Sequence, residues 1–515
     1  MKLNLSEETL AMFKGLRKDV TTTGIATSTN LNFYYLEEKA KAIYPVFYPL
    51  LASIPRSSPM YNGARVGGTA VNWKAIVGID AGGYPGVSEG NRNSFMNITE
   101  RDYSSAFKYL GKDTQVSFQA QQTGLGFDDN IAIAQLAMLN ALLNDEERMI
   151  LYGNSGSGGN GFQLGTTATP TTALVAGGAI TTATLVTIYC VALTCWGAQL
   201  ATATGVKLPF RRVNADGSTD TINGGTAAAS AAGTGRTTTG GTLSVSASVV
   251  PVAGTVAYAW YVSTNATPTT ANAYFQAITS IPSYTQTTNP VTTTQLLNAT
   301  DPSTGGGLTT DNSANALDFD GLLTWTFKTS SSSQPSYWLD LAGAGLTANG
   351  DGTIAEFEAV LDYLWLNYKI TVDKIYAGGN LISAISRAIL LNSSGTGAAR
   401  MVFQNDEAGK LVGGTKIVQY RSKYSNTGAA KVLDIMTHPW LPQGVIYFDL
   451  IYNPYPAAGG NIPAVRRIVS LEDHFSIKWP YRKLQHELGV YCFETLENYI
   501  PFGFACLTGV QNKVN

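Results

Sequence analysis

The chain has 515 residues, enough for two to four ordinary domains, and 44% of them are hydrophobic, which supplies a large core and excludes wholesale disorder. Charged residues make up only 14%, where globular chains usually carry roughly 25%, and the formal net charge is −2, so no general basic field for nucleic acid exists. The 53 Gly, with abundant Thr, Ala and Ser, favour short strands and turns, and the 26 Tyr point to contact surfaces as well as core.

Four cysteines are too few for a disulfide scaffold. Cys190 and Cys195 fall in one strand-like run and face opposite ways there; Cys492 and Cys506 would oppose each other in a hairpin, but nothing indicates an oxidising compartment. The first 20 residues lack an apolar signal core, and no stretch of about 18 apolar residues occurs. The chain reads as soluble and cytoplasmic.

Residues 31–53 begin as a helix that Pro45 and Pro49 interrupt. Residues 69–79 alternate, with Val71, Trp73, Ala75, Val77 and Ile79 on one face. The glycine-rich run 80–93 follows, and then a second extended stretch from Phe95 to Phe118. Together they predict a long two-stranded ribbon, marginal in water unless it lies on another surface, such as another chain. Asp128 or Asp129 caps the next helix, which has no Gly or Pro before Gly153 and spans roughly 37 Å. Its apolar residues, Ile131, Leu136, Leu139, Leu142, Leu143, Met149 and Ile150, cover more than half its circumference, so it touches structure on several sides.

Composition shifts at about 165. From there to 315 the only charged side chains are Lys207, Arg211, Arg212, Asp216, Asp220, Arg236, Asp301 and Asp311. The stretches 183–200, 255–264 and 274–287 read as strands, and Asp216-Gly217 and Gly224-Gly225 as turns. The spacing fits a small β-sandwich, with 223–241 and 298–315 open to a linker reading. Beyond 315, Thr353 and Glu356 form a capping box for a helix over 353–368. A strand over 369–378, a helix over 380–392, three further strands and a two-strand end over 488–510 complete an α+β pattern.

Sites for chemistry are scarce. Residues 347–358 match part of a calcium loop (Asn349, Asp351, Gly352, Ile354, Glu358), but Thr347 stands at the charged first position, so the segment reads as a turn feeding a helix. His438, His474 and His486 have no partner at metal-ligand spacing, and there is no nucleophile elbow. The expectation is therefore no catalytic residue, no cofactor and no metal. Basic clusters at Arg211-Arg212, Arg466-Arg467 and Lys478/Arg482/Lys483 read as solvated faces, subunit salt bridges or weak contacts to nucleic acid.

This order of segments resembles the major capsid protein of tailed bacteriophages, the Hong Kong-type shell fold shared with encapsulins. The resemblance is carried by the Gly82-Gly83-Tyr84-Pro85-Gly86 tip, the helix over 127–153, LDFDGLLT (317–324), the segments from Tyr337 to Trp365 and from Ile370 to Ser386, and VYCFETLENYIPFGFACLTGV (490–510). It implies an N-terminal arm (1–60), an extended loop (61–120), a peripheral domain with a spine helix (121–164 and 461–515), an inserted immunoglobulin-like β-sandwich (165–315) and an axial domain (316–460). The implied function is structural and non-enzymatic. Copies assemble into the hexamers and pentamers of an icosahedral head around double-stranded DNA, with the insert decorating the outside or touching neighbours. Trp73, Tyr84, Pro85 and Phe95 become the expected inter-subunit contacts. Implied partners are further copies of the chain and separate scaffolding, portal and decoration proteins, with packaged DNA touched weakly if at all and no membrane; the implied location is the virion, assembled in the host cytoplasm. Two other readings remain open: an encapsulin-like nanocompartment shell, and a surface adhesin with a carbohydrate-binding β-domain.

Overall fold

The computed structural model describes residues 47–58, 60–61, 64–65, 67–79, 84–93, 95–124, 129–156, 161–328, 335–349, 352–390, 404–405, 411–412, 417–424, 431–455, 462–470 and 472–513. Most of the expected arm and of the helix expected over 31–53, the glycines at 82 and 83, and Asp351 lie outside the described residues.

Pro49–Ser53 form one helical turn (α1), and Arg56–Ser57 a short strand (β1). Ala70–Ile79 (β2) and Ile98–Ala106 (β3) pair antiparallel, with Trp73 opposite Tyr103 and a bulge between Ile76 and Gly78 that breaks the expected alternation. The ribbon is shorter than the sequence predicts. Lys108–Ser117 (β4) leaves it and pairs instead with residues 485–494. Its pattern agrees with this: β4, paired with residues 485–494, buries Leu110 and Val116 on one face. Phe118–Gly124 (α2) leads to Asn130–Tyr152 (α3), the long helix expected there. The Asp129 carboxylate accepts the Ile131 and Ala132 N–H groups at 3.1 and 3.2 Å, satisfying two free donors of the first turn. Gly153 ends the helix where a Cβ would lie 2.3 Å from the Phe319 carbonyl oxygen.

Next comes a two-sheet unit. Its strands are Thr171–Val175 (β5), Leu185–Leu193 (β6), Phe210–Val213 (β7), Thr219–Ile222 (β8), Arg236–Thr237 (β9), Ser244–Ser248 (β10), Ala257–Ser263 (β11), Tyr274–Thr279 (β12) and Ser283–Gln286 (β13). Among the described residues one sheet has the order β9-β6-β11-β12 and the other β13-β10-β5, while β7 and β8 form a separate hairpin that turns at Gly217 (φ 88°). Val186, Ile188, Cys190, Trp260 and Val262 pack between the sheets, and Tyr189, Val191, Leu193, Tyr261 and Phe275 pack on the other side of the four-stranded sheet. That sheet is covered on both faces, so β6 reads as a continuous apolar run. The segments open to a linker reading supply part of the cover, with Ala227 and Leu308 fully buried. The strand expected over 183–200 stops at Leu193, and Cys195–Leu200 is a helix (α4) because Thr194 caps it, its hydroxyl accepting the Gly197 N–H.

Leu322–Phe327 (α5), Tyr337–Asp340 (β14), Ala355–Tyr368 (α6), Lys374–Ala377 (β15), Ile382–Leu390 (α7), Gln419–Arg421 (β16), Val432–Thr437 (β17) and Ile446–Asp449 (β18) follow. The expected capping box at α6 does not form: Ile354 is the N-cap, and the Glu356 carboxylate accepts the Thr347 N–H instead. Val465–Val469 (β19), Phe475–Lys478 (β20) and Gln485–Asn498 (β21) join β1 and β4 in one sheet, and Ala505–Thr508 (β22) inserts between β14 and β18 of the other. The last two strands are therefore not a hairpin, and 505–508 leaves the unit expected over 461–515. Cys492 and Cys506 end up in different sheets, and all four cysteines are free.

One hydrophobic core joins the two ends of the chain, from Leu50 through Leu142 and Ile150 to Phe357, Tyr447, Leu496 and Leu507. The two-sheet unit leaves and re-enters at adjacent points: Asn315 N–H donates to the Asn154 carbonyl at 2.9 Å, and Asn154 Nδ2 donates to the Ser313 carbonyl at 3.1 Å. Replacing 170–312 with a short Gly/Ser linker should leave a cooperatively folding body. Its thermal midpoint should fall, because Gln199 Nε2 no longer donates to the Trp440 carbonyl and Arg148 loses the Trp196 ring. Loss of cooperative unfolding by circular dichroism would contradict this.

Asp449 in β18 is buried, and desolvation pushes its carboxyl up to about 7. A raised acid binds its proton more tightly folded than unfolded, so its contribution is complete below about pH 4 and is lost as pH climbs towards 7. Asp449→Asn should therefore stabilise the protein at pH 8 by on the order of 2–4 kcal/mol and flatten the pH dependence of denaturant unfolding between 4 and 7.

Candidate functional site: an exposed ribbon, an uncovered aromatic face and the charged junction beneath them

The ribbon is fixed at its base and bare at its tip. At the base, Trp73 stacks on Tyr103 at 5.7 Å, both rings meet Trp325 within 6.3 Å, and Trp73 Nε1–H donates to the Asn498 carbonyl at 3.2 Å. The hydroxyls of Ser105 and Thr495 meet at 2.6 Å. Trp73 keeps only 7% of its surface, so it anchors the ribbon to its own chain rather than offering a contact as the sequence predicts. The reason is its register: opposite Tyr103, it falls where the ribbon passes over α5 and β21.

Towards the tip the apolar side chains lose all cover. Tyr84 is 84% exposed and Phe95 102%, with Ile76, Val87, Met96 and Ile98 also exposed and Pro85 beside them. Asn93 Nδ2 donates to the Tyr84 carbonyl at 3.0 Å, and Asn91 Nδ2 to the Ser88 hydroxyl at 2.6 Å, so the tip has local order without a core. Among the described residues no third strand pairs with β2 or β3. Of the predicted contact residues, Tyr84, Pro85 and Phe95 share this bare end and Trp73 does not.

A second surface with no layer over it among the described residues lies on the sheet face of β4, β20 and β21 that points away from α3. Tyr109, Phe493, Phe475, Tyr491 and Trp479 form a chain of ring contacts with centroids 4.3, 5.3, 6.2 and 6.1 Å apart. Tyr109 is 75% exposed. Tyr491 lies flat on the sheet because its cross-strand neighbour Gly111 and Gly489, two residues before it on the same strand, leave room: a Cβ at either would come within 2.3 or 2.5 Å of its ring. Its hydroxyl donates to Asp113 at 2.8 Å, where Trp479 Nε1–H also donates at 3.2 Å. Burial and then the Asp113 carboxylate raise the Tyr491 pKa. Sequence reading missed this face because its rings come from three strands; the alternation Tyr491, Phe493 was the one visible signal.

Beneath that face, α3 carries two neighbouring buried carboxylates. Glu147 accepts the N–H groups of Leu50 at 2.9 Å and Leu51 at 2.8 Å, capping α1, and accepts His438 Nε2–H at 2.9 Å. The tautomer follows from the other ring nitrogen: His438 Nδ1 accepts the Trp440 N–H at 3.2 Å. Glu146 pairs with Arg467 and meets His474 Nε2 at 2.7 Å. Arg467 reaches Glu494 at 3.2 Å and Asp473 at 3.6 Å, and Asp473 also pairs with Arg56 of β1. Burial pushes the Glu494 carboxyl up, and burial with the Arg56 charge lowers the His474 ring. None of the three histidines lies in an arrangement the sequence predicts; two serve this junction, and His486 stacks edge-on with Phe118 and Tyr481. The basic cluster 466–467 is absorbed by ion pairs with Glu497, Glu146 and Glu494.

No family model matches the chain, and no curated protein matches it. Among solved structures it is similar to the SrpI encapsulin of Synechococcus elongatus PCC 7942, with TM-score 0.36 and 8% identity over 95% of this chain and 96% of that one. The capsid of a native GTA particle gives TM-score 0.42 and 8% identity over 95% of this chain and 99% of that one. The capsid of the Myoviridae phage XM1 gives 0.39 and 8% over 95% and 100%.

Glu147→Ala should cost about 3–5 kcal/mol in denaturant unfolding, since it strands two helix-end donors and the His438 ring in the core. A loss under about 1 kcal/mol would show that water replaces the carboxylate.

Proposed function

We propose that the protein is a shell-forming structural protein whose copies interlock by laying the ribbon of one onto the aromatic sheet face of the next. The observation that carries this is the pairing, in one chain, of a bare apolar ribbon with a bare aromatic surface. A two-stranded ribbon without a core face is marginal in water, and exposed apolar patches of this kind mark contact sites. Burying Tyr84, Phe95 and Met96 against Tyr109 and its neighbours removes apolar area worth about 25 cal/mol per Å². An isologous or ring-closing contact of this type repeats without a free edge.

In the finer reading, the chain is a major capsid protein that forms hexamers and pentamers around double-stranded DNA. The sheet of β1, β4, β19, β20 and β21 with α3 forms the peripheral part, and the sheet of β14–β18 and β22 the axial part. The two-sheet unit, four strands over three, is the inserted immunoglobulin-like sandwich, borne on the outer surface. The sparse charge of that unit suits close packing of many copies.

Phe95→Asp combined with Tyr84→Asp should leave the thermal unfolding of the chain unchanged while raising the critical concentration for assembly at least about tenfold, a shift of about 1.4 kcal/mol. Mass photometry and negative-stain imaging read the particles. Tyr109→Asp, on the receiving face, should have the same effect. Particles that form normally from both variants would refute the docking, and nuclease-protected nucleic acid inside wild-type particles separates a viral head from a cargo shell.

A further inference from the structure

The strands β19 and β20 pair with the same edge of β21, one after the other, and the sheet opens between them. Val469 stands opposite Glu494 and Phe475 opposite Tyr491, and in the bulge between them the described residues 472–474 lie beside Cys492. The bulge brings Asp473 and His474 to Cys492, with one ligand atom from each lying within 4.8 Å of the others. A tetrahedral zinc ion spaces such atoms about 3.3–3.7 Å apart, which modest side-chain rotation supplies.

Two further observations point to a ligand. His474 has a carboxylate at each ring nitrogen, Glu146 at 2.7 Å from Nε2 and Asp473 at 3.0 Å from Nδ1. With the proton on Nε2, the buried Glu146 holds the ring as metal-binding histidines are held, and Nδ1 is free to ligate. Secondly, Glu494 is wholly buried, paired with Arg467 through one oxygen, and its carboxyl meets the Cys492 thiol. It lies two residues from Cys492 on the same strand face, so it is aimed at the same space.

We propose that Asp473, His474 and Cys492, backed by Glu494, form a binding site for a divalent transition metal of the zinc type. The mixed S, N and O donors select zinc over magnesium or calcium. Binding takes Cys492 as the thiolate, and its proton passes to solvent. Arg56 pairs with Asp473 Oδ2, while Oδ1 faces His474. The ion enters beside Asp473, the exposed member of the set. Once bound, it ties the bulge to β21 and to α3.

Cobalt(II) titration of the full-length, metal-free protein tests the site. Stoichiometric uptake with a thiolate-to-cobalt charge-transfer band, displaced by zinc, is expected. Cys492→Ser should abolish the band and Cys506→Ala keep it. Asp473→Asn, at the exposed ligand, should weaken binding about 10–100-fold with the fold intact by circular dichroism. The site is overturned if wild-type protein gives no charge-transfer band, if the band survives in Cys492→Ser, or if Asp473→Asn binds as wild type.

Discussion

Glu146 and Glu147 sit side by side on α3, both fully buried, and successive helix positions send their carboxylates about 100° apart. Glu147 turns towards α1 and the His438 loop that follows β17; Glu146 turns towards β19 and the bulge before β20. One helical step thus ties together the start of the described chain, the six-stranded sheet and the five-stranded sheet. Buried charge is costly without partners, so the arrangement holds only while all these segments are in place. That makes the body one cooperative unit although its halves are separated by more than 150 residues.

The surfaces on either side of this junction follow from it. β21 is pinned on its inner face by Glu494 and the α3 packing, which leaves Tyr491 and Phe493 half-buried on the outer face, with no further layer among the described residues. The ribbon is held at its base by Trp73, Tyr103 and Ser105, and towards its tip the side chains of Ile76, Tyr84, Phe95, Met96 and Ile98 are exposed among the described residues. The two-sheet unit adds to this body without altering its path, since the chain returns to Gly153 where it left: the Gly321 N–H donates to the Gly153 carbonyl at 2.8 Å.

Local chemistry was legible in the sequence. The limits of α3 were set by Asp129 and Gly153, the presence of β6 and β11 by runs of alternating or continuous apolar residues, and the ribbon's need for another surface by its being only two-stranded. Each of these depends on neighbours a few residues away, where periodicity, capping and turn chemistry act. The shift in composition near 165 likewise marks the start of the two-sheet unit.

Partnership between distant strands was decided only in three dimensions. β4 reads like a continuation of the ribbon but pairs with β21, and 505–508 reads like the return strand of a hairpin but pairs with β14 and β18. Trp73, an apparent contact residue, is buried by register, and Asp473, His474 and Cys492, unremarkable in sequence, are gathered by a bulge. The physical reason is the same throughout: an alternating pattern fixes which face of a strand is apolar, while the edge it joins depends on register and on loop closure across the whole chain.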